Sequence, residues 1–226
     1  DGYKEDEKII WHDDVIIKQF ISYLVGCFMG RYSVDKPGLI IANQHQDLSS
    51  LNLQVDGIEN SPHSTLSIDD DGIVPIIQES DFFADDMTER IQLAIKTLFG
   101  EEQYYDNRKY IEQTIGKPLR DYLYKDYFAD HQQMYSVKGA KRPIYWLFSS
   151  RMGDKHKKGY FKALVYMHRM EADTLSKLHA DYVHPYINKV EQQLREAEEE
   201  TLRDDLTQAQ RNRALKLVNE LKEKVK

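Results

Sequence analysis

The stretch from Phe20 to Gly30, FISYLVGCFMG, decides how the chain folds. Together with Ile17 it sets apolar residues at Phe20, Ile21, Leu24, Val25 and Phe28, the spacing of a helix, and then widens until nearly every face is apolar. Such a helix lies in a core or in a membrane. The run from Phe20 to Met29 has ten residues, half of the about 20 that a bilayer span needs. Asp13, Asp14, Lys18 and Gln19 also stand just upstream. It therefore reads as the central helix of a mainly α core, capped by Asp13 or Asp14 and stopped between Gly30 and Ser33. Gly26 and Gly30 leave room for close packing. Cys27, the one cysteine, reads as a buried thiol, excludes an internal disulfide and favours a reducing, cytoplasmic compartment. No signal peptide is recognisable, and the chain opens on Asp1 rather than Met, as an excised piece of a longer protein would.

Outward from this helix the signals are mostly helical. Residues 43–72 are polar and broken by Gly and Pro, an irregular connector with a short hairpin around Asp56-Gly57. GIVPII, Gly72 to Ile77, reads as a short extended piece. Asp86-Met87-Thr88-Glu89 has capping-box form and opens a helix whose face is Met87, Ile91, Ile95 and Leu98, stopped at Gly100. A second helix covers about Glu102 to Ile115, and Pro118 opens a third that runs through Leu119, Leu123 and Tyr127 to Met134. Ile144 to Phe148 (IYWLF) and Tyr160 to Met167 (YFKALVYM) are rich in β-formers and read as two hairpin strands. Beyond Asp173 the chain is helical to its end. One stripe is Leu175, Leu178, Tyr182, Val190 and Leu194, kinked at Pro185, and another is Leu215, Val218, Leu221 and Val225. EAEEETLRDDL between them fits either one long helix or a tight helical hairpin, a candidate coiled-coil arm.

The net charge of -7 conceals a basic island. Ser136 to Arg169 carries nine Lys/Arg against one acid, Asp154, whereas residues 1–135 carry 12 bases and 25 acids. A hairpin tip from Arg151 to Gly159 would extend Arg151, Lys155, Lys157 and Lys158, with Lys138, Lys141, Arg142 and Lys162 on its flanks. Screening confines charge effects to about 10 Å, so the acidic remainder does not cancel the island at contact distance. Phosphate binding suits such a patch. A lysine-rich loop also keeps a hairpin soluble, and an acidic protein partner would fit it too, so charge alone leaves the three readings open. Tyr145, Trp146 and Phe148 read as core rather than as base-stacking platforms.

Enzyme signatures are missing. No G-x-G occurs, so neither a dinucleotide fingerprint nor a phosphate-cradling loop is written in the sequence. No G-x-S-x-G elbow and no H-E-x-x-H appear either. His179 and His184, five apart, stand too far round an α-helix to share a metal. Asp69-Asp70-Asp71-Gly72 lacks the alternating spacing of a calcium loop and reads as a solvated turn. No catalytic, cofactor-binding or metal-binding residue is nominated.

Five collinear segments resemble the C-terminal part of the adenine-specific DNA methyltransferases of BREX phage-defence systems, the PglX type. They are ISYLVGCFMGRYSVDKPGLI (Ile21 to Ile40), DGIVPI (Asp71 to Ile76), FFADDMTERI (Phe82 to Ile91), RPIYWLFSS (Arg142 to Ser150) and FKALVYMHR with DTLSKLHADYVHP (Phe161 to Pro185). The resemblance implies a parent protein that methylates adenine N6 with S-adenosylmethionine on a base taken out of the stack. The N/D/S-P-P-Y/F catalytic motif of such enzymes is missing, since no two of the six prolines are adjacent. The glycine loop for the cofactor is missing too. The implied role is therefore that of a non-catalytic C-terminal region that helps engage DNA or places a recognition domain.

The reading is thus a mainly α protein with a small β-hairpin element and a long C-terminal helix or helical hairpin. Residues 1–170 form a helical domain bearing the basic hairpin (136–169), and residues 171–226 an arm. Its DNA contacts are Lys138, Lys141, Arg142, Arg151, Lys155, Lys157, Lys158 and Lys162. Double-stranded DNA and the methyltransferase domain of the same parent chain are its partners, with no membrane and no cofactor in this fragment, S-adenosylmethionine belonging to the parent. The alternative is a protein–protein module whose arm binds another defence protein or a second copy. Arg31, in GRYS, reads as a salt-bridge residue.

Overall fold

The computed structural model describes residues 2–5, 8–46, 65–80, 82–150 and 159–225. The mainly α reading holds. The chain begins with an antiparallel pair, β1 (Gly2–Glu5) and β2 (Lys8–Trp11). The central helix follows as α1 (Asp13–Phe28). Ile21, Leu24, Val25, Cys27 and Phe28 are buried, as the widening apolar pattern required. Asp13 and Asp14 lie in its first turn, where acids favour the helix dipole. The N-cap itself is His12, which makes no side-chain capping bond. Gly26 sits mid-helix because a Cβ there would overlap the ring of Tyr32. Gly30, at φ +79, turns the chain out of the helix under Ile41.

The expected hairpin near Asp56-Gly57 lies outside the described residues. Then come β3 (Ile73–Pro75), α2 (Met87–Phe99), α3 (Tyr104–Ile115), α4 (Leu119–Lys125) and α5 (Tyr127–Met134). Asp86 caps α2 by accepting from the N–H groups of Thr88 and Glu89 at 2.8 and 3.0 Å. The Glu89 carboxylate does not close the capping box; it takes Arg120 instead. The single helix expected after Pro118 is two, because the backbone leaves helical geometry at Asp126 (φ -121). Pro118 is the N-cap residue rather than the first helical position.

Two further hairpins complete this body. β4 (Ser136–Val137) and β5 (Ala140–Lys141) form a pair the sequence did not announce. β6 (Tyr145–Ser149) and β7 (Lys162–Tyr166) form the predicted one, with Tyr145 opposite Tyr166 and Ser149 opposite Lys162. β3 joins β7 on its other side, giving an antiparallel sheet of order β3-β7-β6. Pro75 is tolerated there because β3 is an edge strand. Tyr145, Val74, Leu164 and Tyr166 on one face complete the core formed with α1, α2, α3, α4 and α5. Each of its fully buried aliphatic side chains contributes about 1.5–3 kcal/mol of transfer free energy. Tyr145 is core, as expected, while Trp146 is 50% exposed and Phe148 half-buried.

The chain divides into two compact units, Asp1–Glu171 and Ala172–Lys226. The second runs through α6 (Thr174–Lys177), a π-helical segment (Leu178–Val183), α7 (His184–Thr201) and α8 (Gln208–Val225). The two long helices pack together as a hairpin, and Lys222 reaches Glu198 at 2.8 Å. The kink expected at Pro185 takes the form of that π segment. Proline has no N–H to continue the α pattern and crowds the carbonyl four residues back. The His184 N–H accordingly bonds to His179 O, five residues back. The wider turn brings the two histidine rings to 5.2 Å, so five residues apart is close here. Of the second stripe Val218 and Leu221 are buried and Leu215 is exposed, the neighbouring Ala214 being buried instead.

Candidate nucleic-acid interface

The described cations of the basic island fall into three settings. Lys138, Lys141 and Arg142 are exposed. Lys138 and Gly139 form the turn between β4 and β5 with φ of +50 and +80, the signature of a tight type I′ turn. Asn or Gly normally fills the first position, and another residue there pays about 1–2 kcal/mol. A lysine is therefore held at the tip of this hairpin against conformational preference. The hairpin is anchored to the end of α5: the Arg142 N–H donates to Tyr135 O at 3.1 Å, and Lys141 Nζ lies 3.3 Å from Gln132 Oε1. None of these three cations meets a carboxylate among the described residues.

Lys162 is placed differently. It shares a sheet face with Leu164 and Tyr166, and its ammonium turns to α4. There it donates to Tyr124 O at 2.5 Å and lies 4.0 Å from the Tyr124 ring centroid. Arg169 is engaged in the fold: its Nη1 and Nη2 donate to the carbonyls of Asp69 and Asp70 at 2.7 and 2.5 Å. Arg151, Lys155, Lys157 and Lys158 lie outside the described residues.

One residue of this surface comes from far away in the chain. Arg31 is half-buried beside Tyr135. Its Nε donates to Tyr32 Oη at 3.2 Å and its Nη1 to Tyr166 Oη at 3.3 Å. The Tyr32 and Tyr135 hydroxyls meet at 3.2 Å, and the guanidinium carbon lies 5.4 and 5.9 Å from the ring centroids of Tyr32 and Tyr135. The Tyr166 hydroxyl donates in turn to Ile41 O at 2.6 Å. The salt bridge expected of Arg31 is not formed: no carboxylate reaches it among the described residues. Burial works against its charge, but the hydroxyls that accept its N–H groups hold the proton more tightly than usual. Behind it, His131 is buried, with Nε2 accepting from the Ile144 N–H at 3.3 Å and no partner at Nδ1. Burial, and then the Arg31 charge, push that imidazole down to about 4, so it is neutral.

The acidic side of the body is built oppositely. Asp69, expected in a solvated turn, is fully buried. It accepts from Arg90 Nη2 at 2.8 Å and from the N–H groups of Gly72 and Ile73 at 2.6 and 3.1 Å. Burial pushes its carboxyl up to about 7 while the Arg90 guanidinium pulls it back. Arg120 bridges Asp86 at 2.5 Å and Glu89 at 2.7 Å. Asp69, Asp70 and Asp71 stand close enough to share an ion, but Asp69 is already spent on Arg90 and two backbone donors.

Every strand pairing among the described residues is antiparallel.

No protein-family profile matches the chain. Its sequence is homologous to a region of the adenine-specific methyltransferases of the BREX type. Over 222 residues, 92% of the chain, it is 34% identical to the adenine-specific methyltransferase BrxX of Escherichia coli O9:H4 (strain HS). Over 188 residues, 79% of the chain, it is 35% identical to the adenine-specific methyltransferase PglX of Lacticaseibacillus casei (strain Zhang). The chain spans 17% and 14% of the lengths of these two relatives. No helix among the described residues is long and apolar enough to cross a membrane.

Proposed function

We propose that this chain is a non-catalytic, DNA-engaging region of a BREX-type adenine-specific methyltransferase. Base chemistry and S-adenosylmethionine binding belong to the rest of the parent, which also supplies its intramolecular partner. The observation that carries the reading is the β4–β5 hairpin. Lys138, Lys141 and Arg142 stand exposed along one anchored hairpin and the residue that follows it, with no carboxylate among the described residues to neutralise them. Such cations fit backbone phosphates, which position a duplex without reading its sequence.

The test is fluorescence anisotropy of a labelled duplex across a salt series. Removing three phosphate contacts with Lys138→Gln, Lys141→Gln and Arg142→Gln lowers the log–log salt slope by about 2.7. A parallel Lys155/Lys157/Lys158→Gln triple reads the share of the cations beyond the hairpin. Absence of wild-type binding at low salt, or two triples that leave the slope unchanged, overturns the reading.

A second reading rests on the arm, as an oligomerisation or protein-docking element. Leu215 and Leu217 on α8 are 48% and 43% exposed although they belong to the helix's apolar residues. Light scattering of the chain with and without residues 202–226 tests it, and an unchanged mass argues against self-association.

A further inference from the structure

We infer that Arg31, framed by Tyr32, Tyr135 and Tyr166, is an oxyanion site that holds one backbone phosphate of the nucleic acid engaged by the β4–β5 hairpin. This rests on the DNA reading above and adds to it a residue about 100 positions upstream of the hairpin. A half-buried guanidinium usually keeps a carboxylate, because a desolvated charge without a counter-charge is unfavourable. Here two of its five N–H donors are spent on phenol oxygens, and no carboxylate reaches it among the described residues. The remaining N–H groups form part of a planar fork, which matches the paired oxygens of a phosphate better than any ammonium does. Tyr32 and Tyr166 fix the guanidinium plane in advance, so little side-chain freedom remains to be lost on binding.

Position supports the same assignment. Tyr135 lies beside Arg31 with its ring and bonds Arg142 with its main-chain oxygen. Arg31 and Arg142 thus both border Tyr135, at the foot of the hairpin that carries Lys138 and Lys141.

Two measurements test it on the full chain. The first follows the Arg31 Nε–H resonance while inorganic phosphate is added, with acetate as a control. The expected result is a saturable shift with phosphate and a weaker response to acetate. The second repeats the duplex salt series with Arg31→Gln, which should lower the slope by about 0.9, one phosphate contact; Arg31→Lys should keep the slope and lose affinity. If phosphate leaves the resonance still while the duplex binds and Arg31→Gln keeps the full slope, Arg31 only braces its tyrosines, and the inference falls with the DNA reading intact. A saturable phosphate shift without any duplex binding upholds the anion site and overturns the DNA reading. A stronger response to acetate assigns the site to a carboxylate and overturns the phosphate. The phosphate titration uses the wild type, so it decides the matter even where Arg31→Gln does not fold.

Discussion

Arg90 and Arg31 are both arginines drawn into the same body, and their surroundings are opposite. Arg90 meets the fully buried Asp69 at 2.8 Å, and its neighbour Arg120 is clamped by Asp86 and Glu89. Arg31 meets phenol oxygens and aromatic rings. The first pair of arginines is met by carboxylates of the fold; Arg31 is met by neutral groups among the described residues. A basic count cannot separate the two cases, because charge is a property of a residue and neutralisation a property of its neighbours.

That contrast breaks first under Arg90→Leu. Removing one partner of a buried pair leaves the Asp69 carboxylate without its 2.8 Å guanidinium and lowers stability by about 3 kcal/mol at pH 8, read as a shift of the urea midpoint. Arg31→Gln, which strands no buried carboxylate among the described residues, should lower it by less than about 1 kcal/mol. Equal losses would erase the distinction.

The pH dependence of His131 sharpens it. Its pKa in the folded chain, about 4, lies below the ordinary value of about 6.5. Its stabilising contribution is therefore complete above pH 6.5 and is lost as pH falls toward 4. By linkage the stability difference between wild type and His131→Gln should shrink by about 3 kcal/mol between pH 7 and pH 4. Comparison with the variant isolates this group from Asp69, whose raised carboxyl acts in the opposite sense over much of the same range. Arg31→Gln should move the His131 midpoint upward, because one of the two causes of its depression is gone.

The smallest effect belongs to Lys138→Asn. Asparagine tolerates the positive φ of that turn, so the variant should gain about 1 kcal/mol of stability while the salt slope falls by about 0.9. A gain in stability with unchanged DNA binding would make Lys138 a bystander.

Local signals were the legible ones. The spacing in FISYLVGCFMG marked α1 and its burial, Asp86 marked the start of α2, and β-forming runs marked β6 and β7. What stayed hidden required a partner distant in sequence. GIVPII read as extended, but nothing in it names β7 as the strand it joins. Lys162 counted with the island, yet strand alternation puts it on the face of Leu164 and Tyr166, where Tyr124 receives it. Asp69 looked like one acid of a polar turn until Arg90, 21 residues on, closed over it. Arg31 was visible as a residue, and its lack of a carboxylate among the described residues was not.

The π segment at Leu178–Val183 has a consequence for how the arm is dialled. Fitting one surplus residue into a helix rotates everything downstream by about 100° against what precedes it. Leu175, ahead of the segment, is exposed, while Tyr186 and Val190, beyond it, are buried. Excising Ala180 would remove the phase shift, and the azimuth of α7 would then be the one an uninterrupted helix prescribes.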